Sequence, residues 1–248
     1  MDVIIEGTYM NVLKGCVIKS LEFAMQTEKI PEGVSAFFLA PTLRGICEDL
    51  IALRFLQLDS NIIKRDDLLQ SRMVHAVFGA VDKQTKFFRK HRPFQPVFGG
   101  TLNSPQKVVG LPSMKDMAEK TKLSDLYDFL YAVSSDNVHF NPRIIIRNAW
   151  GDGRKTFMHS TKNFQDYYIN LCAVYGVYLF CRFIEFFQKE LRLSSAVASE
   201  VERLSIAIDG KLRWPEAVTF EEMNKGGPTD TERVLRKMIH TAKVPGQA

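Results

Sequence analysis

The chain has 248 residues, 46% hydrophobic and 25% charged, with a net charge of +5. This composition excludes a disordered, collagen-like or disulfide-scaffold protein and leaves enough apolar material for one large core. The charge permits a polyanionic partner without requiring one.

The four cysteines, Cys16, Cys47, Cys172 and Cys181, form no C-x-x-C pair and have no histidine at zinc-finger spacing. They read as small core residues of a reducing compartment. Residues 1–6 carry neither the basic leader nor the apolar run of a secretory signal, so a cytoplasmic location is expected.

In chain order, helical periodicity predicts a first helix over residues 9–29, closed by Pro31. A second apolar run over 34–58 contains Pro41, which fits a kink or the first turn of a fresh helix. A third helix is expected over 61–90, with cations gathered toward its C-terminal end, where the helix dipole favours them. There Lys83, Lys86, Arg89, Lys90 and Arg92 interleave with Phe87, Phe88 and Phe94. Such a mixture of charge and rings can grip phosphates and stack bases, and it can equally be a solvated helix end. Prolines and glycines then break the pattern over 93–112, a long connection for a packed domain.

A short helix is expected over 114–120, and Ser124 is a candidate N-cap for a helix over 125–139 that Asn141-Pro142 stops. Between 143 and 160, Ile144-Ile145-Ile146, the turn residues Gly151-Asp152-Gly153 and Lys155-Thr156-Phe157-Met158 predict a small β-hairpin. The helix expected over 163–193 is apolar nearly all round, and a membrane span needs about 20 such residues. Asn170, Arg182 and Glu185 within it favour a central helix buried by its neighbours, and no membrane partner is expected. A last core helix spans 195–208. The expected architecture is mainly α: a helical bundle domain over 1–210, the hairpin near 143–160, and an irregular C-terminal tail over 211–248 with a short helix.

Two polar groups fall where a core should be. On a helix over 42–58, Arg44 and Glu48 share a column with Ile51 and Phe55. An edge ion pair and a functional site explain them equally well. On the helix over 125–139, Asn137 lies near the centre of the stripe formed by Leu126, Leu130 and Val133, and Ser134 sits at its edge. His139 projects from the last turn, as a cap or as a proton carrier. No H-E-x-x-H pair, acidic metal cluster, Gly-rich phosphate loop or G-x-S-x-G elbow is present, so neither metal nor cofactor is expected.

The stretch Leu43-Arg44-Gly45-Ile46-Cys47-Glu48, with Tyr131-Ala132-Val133-Ser134-Ser135-Asp136-Asn137-Val138-His139, resembles a bacterial helical family of unknown function with R-x-x-x-E and S-x-x-x-V-H motifs. That family is similar to the HEPN superfamily (higher eukaryotes and prokaryotes nucleotide-binding). The resemblance covers mainly residues 35–140. It implies a helical bundle, a possible homodimer, and metal-independent RNA cleavage in antiviral defence or a toxin. In that superfamily an R-x(4–6)-H motif supplies an arginine for the phosphate and a histidine for the attacking 2′-hydroxyl. His139 matches the histidine, but Ala132, Val133 and Ser134 stand where the arginine would be, leaving Arg44 to replace it from another helix.

Two functions fit these residues best, ahead of a small-molecule enzyme with its pocket between the helices, which would leave few traces in sequence. In one, the protein is RNA- or nucleotide-directed: Arg44, Glu48, Ser134, Asn137 and His139 form the reacting site, and Lys83, Lys86, Arg89, Lys90 and Arg92 hold the backbone. In the other, it is a non-enzymatic helical interaction or regulatory module whose polar groups form a structural network.

Overall fold

A computed structural model describes residues 7–31, 33–91, 111–145, 148 and 159–212 of the chain. The fold is helical throughout these residues. α1 (Thr8–Glu28) leads through a 3-10 turn (Ala36–Leu39) into α2 (Ala40–Gln57), and α3 (Ile62–His91) comes next. Then come α4 (Met114–Thr121), α5 (Ser124–Leu126), a π-helical turn (Tyr127–Tyr131), α6 (Ala132–Asp136) and α7 (Pro142–Ile145). α8 (Gln165–Phe187) and α9 (Ser195–Asp209) complete the order.

α8 is the axis of the bundle, packed against α1, α2 and α9. Its all-round apolar surface is explained by these neighbours, which bury Tyr168, Cys172, Leu179, Phe183 and Phe187. Among the described residues it is the one helix long and apolar enough to cross a membrane by length and composition. α1 crosses it closely at Gly176, where a Cβ atom would lie 3.0 Å from the Phe23 ring. α2 is the second central helix. Leu43, Ile46, Cys47, Leu50 and Ile51 are inaccessible on its inner side, and α4, the π turn and α6 flank it.

The start of α2 is set by Pro41 within its first turn, where the missing N–H costs nothing. The approach is held by Gln165, whose Oε1 accepts from Ala36 N at 3.0 Å and whose Nε2 donates to Val34 O at 2.9 Å. α4 is capped by Ser113, which accepts from Asp116 N.

Several boundaries differ from expectation, and the helix expected over 125–139 ends at Asp136 after the π turn. Ser124 is inside α5 rather than its cap: Lys122 adopts φ 60° and Leu123 N bonds back to Ala118 O at 2.8 Å, so the turn starts one residue earlier. α8 stops at Phe187, six residues short of 193, because Arg192 is left-handed at φ 53° and Leu193 N returns to Gln188 O at 3.1 Å.

The hairpin is a correction. Pro142–Ile145 is a helical turn in which Ile144 N and Ile145 N both reach Asn141 O at 3.0 Å. Proline is pre-set for the first helical position, and that local geometry outweighs the β preference of Ile144 and Ile145. No strand occurs among the described residues. The expected second strand, Lys155 to Met158, lies outside them, as do the connection over 92–110 and the tail from 213 onward with its expected helix.

A polar network ties the far ends of four helices. Arg65, 7% exposed on α3, donates through Nη1 to Glu190 Oε1 at 3.1 Å and through Nε to Asp59 O. Tyr9 and Gln57 also donate to Glu190, at 3.4 and 2.8 Å, and the Arg65 guanidinium lies 4.8 Å from the Tyr9 ring centroid. The charges are compensated, so this cluster reads as structural.

Candidate functional site

The half-buried residues of α2 include a strip on its solvent side formed by Arg44, Gly45, Glu48, Asp49, Ala52 and Phe55. Flanking helices reach onto this strip from both sides. From α1, Lys19 Nζ meets Asp49 Oδ2 at 2.7 Å. From α4, Lys120 Nζ sits 5.7 Å from the Phe55 ring centroid. From the π turn, the Tyr131 hydroxyl accepts from Arg44 Nη2 at 3.1 Å.

The same Nη2 lies 3.0 Å from Glu48 Oε1, with the two side chains 25% and 36% exposed. The guanidinium carbon is 5.2 Å from the Tyr131 ring centroid, and Tyr131 stacks on Tyr127 at 4.8 Å with an interplanar angle of 17°. The sequence explains this arrangement. Arg44 and Glu48 are one helical turn apart, and so are Tyr127 and Tyr131. The π turn adds a residue to the helical repeat and rotates α6 after it, and such bulges often occur at functional sites. The result is a cation that is held in place yet a quarter exposed, beside a two-ring platform.

The other expected site residues are distributed unevenly. Ser134 is buried at 2% exposure, and its Oγ has no hydrogen-bond partner among the described residues. Asn137 is half-buried at the C-terminus of α6, where Nδ2 donates to Val133 O at 3.1 Å and Oδ1 is buried without a partner among the described residues. His139 is exposed just beyond α6, with its backbone N–H on Ser135 O at 3.1 Å. α6 and the π turn both pack on α2, the helix that carries Arg44 and Glu48, and Tyr131 is the residue of that flank that bonds to Arg44.

Lys83 and Lys86 do not join them. They stand exposed on α3, which packs on α1, and Lys86 pairs with Asp82 at 2.7 Å. Arg89 and Lys90 continue α3, and Arg92 lies outside the described residues.

Sequence reasoning missed the role of Tyr131, although its one-turn spacing from Tyr127 was a signal. Lys19 and Asp49 were missed because nothing in a linear pattern pairs residues on α1 and α2. Burial raises the Asp49 carboxyl above its ordinary value, against the pull of Lys19. Burial also pushes the Cys16 and Cys172 thiols up to about 12 and Cys181 to about 11, which makes them inert core groups rather than nucleophiles. Among the described residues no group of three or more His, Cys, Asp or Glu side chains converges as a metal site.

Fold and site together define an all-helical protein with an Arg–Glu–Tyr cluster at a helix contact. A model described as a family of unknown function (DUF5677) matches residues 39–156, just under half of the chain. The match opens one residue before α2 and takes in the π turn and α6, so both sides of the Arg44–Tyr131 contact fall within it. No curated protein and no solved structure matches significantly.

Proposed function

We propose that the protein is a HEPN-like, RNA- or nucleotide-directed protein, acting as a metal-independent endoribonuclease in a bacterial defence or toxin setting. The observation that carries the reading is Arg44: a guanidinium anchored by Glu48 and Tyr131, still partly exposed, beside the stacked Tyr127 and Tyr131 rings. A fixed cation suits the charge that develops on a phosphorus centre, and a half-buried aromatic pair beside it suits a base.

In this reading Arg44 replaces from α2 the arginine that the 132–134 segment lacks. His139 takes the proton from a ribose 2′-hydroxyl as that oxygen bonds to the adjacent phosphorus. The bond from phosphorus to the 5′-oxygen breaks, and that oxygen takes up a proton, leaving a 2′,3′-cyclic phosphate and a 5′-hydroxyl. Glu48 orients Arg44. The protein works in the cytoplasm as a homodimer. The α3 cations stand apart from this site and the reading does not need them.

One observation favours a second reading. Ser134 Oγ and Asn137 Oδ1 are buried, which suits a non-enzymatic interaction or regulatory module better than contact with a substrate. Cleavage of pooled RNA in EDTA separates the two. The ribonuclease reading requires cleavage that His139→Ala abolishes without lowering the melting temperature; folded protein that leaves all RNA intact supports the module.

A further inference from the structure

α3 changes character along its length. Near its start Leu68 and Leu69 pack on the core, and Asp66 Oδ1 accepts from Tyr9 N at 2.6 Å, fixing the helix to α1. Its continuation from Ser71 to His91, ~30 Å of helix, is amphipathic in the opposite sense. At 100° per residue Met73, Val74 and Val77 fall on one side, in line with Ile63, and they are 55%, 45%, 62% and 73% exposed. Arg72, Lys83 and Lys86 fall on the other side, and all three are exposed. This half of the helix holds five Lys and Arg against one acid, Asp82.

We propose that the Ser71–His91 half of α3 docks on an anionic lipid surface, with Met73, Val74 and Val77 in the acyl boundary and Arg72, Lys83 and Lys86 among the headgroups. Charge selects this occupant over the alternatives. RNA would satisfy the cations but leave the apolar stripe in water. A second copy would cover the stripe but bring two strongly cationic helices together. An anionic bilayer takes both faces at once, the mode of a helix lying in the interface plane. It requires no spanning segment, so it is compatible with α8 as a core helix, and it does not depend on the Arg44 reading.

The test is flotation of the full chain with phosphatidylglycerol-containing vesicles and with phosphatidylcholine alone. Wild type is expected to float with the anionic vesicles only, and less as salt rises. Val77→Asp is expected to lose about ten-fold or more of the bound fraction with an unchanged melting temperature, because the position is exposed. Lys83→Ala with Lys86→Ala is expected to lose about twenty-five-fold, at roughly five-fold per cation, while Arg44→Ala floats as wild type. The proposal is overturned by equal binding of wild type and Val77→Asp, by binding that ignores lipid charge, or by no binding at all. It is also overturned if vesicles are ignored while the lysine variant loses RNA binding, or while Val77→Asp dissolves a concentration-dependent dimer; those outcomes assign the face to nucleic acid or to a second copy.

Discussion

At the scale of single residues, the Arg44 cluster is inexpensive in stability, and this separates a site from a scaffold. Arg44 and Glu48 form a one-turn ion pair with both side chains a quarter or more exposed, and such pairs contribute about 0.3–0.5 kcal/mol. Glu48→Gln should therefore shift stability by about 0.5 kcal/mol or less in denaturant titration while impairing RNA cleavage; a loss of several kcal/mol would make the pair structural. Tyr131→Phe removes one hydrogen bond and should cost about 1 kcal/mol.

Asp49 gives a pH signature. Its folded carboxyl sits above the ordinary 3.8 because of burial, so the folded state holds the proton more tightly than the unfolded chain. The contribution of Asp49 to stability is then full below about pH 4 and is lost as pH rises through the raised value. Asp49→Asn should match wild type at the acid end and gain in relative melting temperature above it. A relative loss on raising the pH would show that Lys19, not burial, dominates. In the sequence Arg44, Glu48 and Asn137 stand out as polar groups on apolar columns, Ser134 as one at a stripe's edge and His139 as a helix-end residue. Tyr131, Lys19 and Asp49 gain their roles from packing between helices, which periodicity does not contain.

At the scale of elements, the α1–α8 crossing and the Arg65 network make separate demands. Gly176 leaves no room beneath Phe23, so Gly176→Val should destabilise by about 1–3 kcal/mol through overpacking, read as a lower urea midpoint. An unchanged midpoint would mean that Phe23 can move aside. Arg65→Ala leaves Glu190 without its cation and should cost about 2–3 kcal/mol. Adding Glu190→Ala should recover part of that loss, and strictly additive losses would contradict the pairing. Long helices with clear periodicity, α1, α2 and α3, were legible within a residue or two. The ends of α8 and α5 were not, because left-handed Arg192 and Lys122 carry no glycine to announce them. The hairpin expectation failed at Pro142, where one backbone constraint overrode the β preference of Ile144 and Ile145.

At the scale of the whole molecule, the described residues form a bundle around α8 and α2, with the Arg44 strip on one exposed side and the outer half of α3 leaving α1 elsewhere. The mainly helical class was legible because apolar content and 3.6-residue spacing dominate the chain. No activity is legible in the same way: residues 132–134 hold no arginine of the R-x(4–6)-H motif, and in the proposed reading Arg44 replaces it from a different helix. The most direct measurement is cleavage of a pooled RNA substrate in EDTA by wild type, His139→Ala and Arg44→Ala, with thermal melts on the same samples. The account predicts metal-independent cleavage by wild type and its loss in both variants at nearly unchanged melting temperatures. Intact RNA with wild type, or cleavage that survives both substitutions, would contradict it.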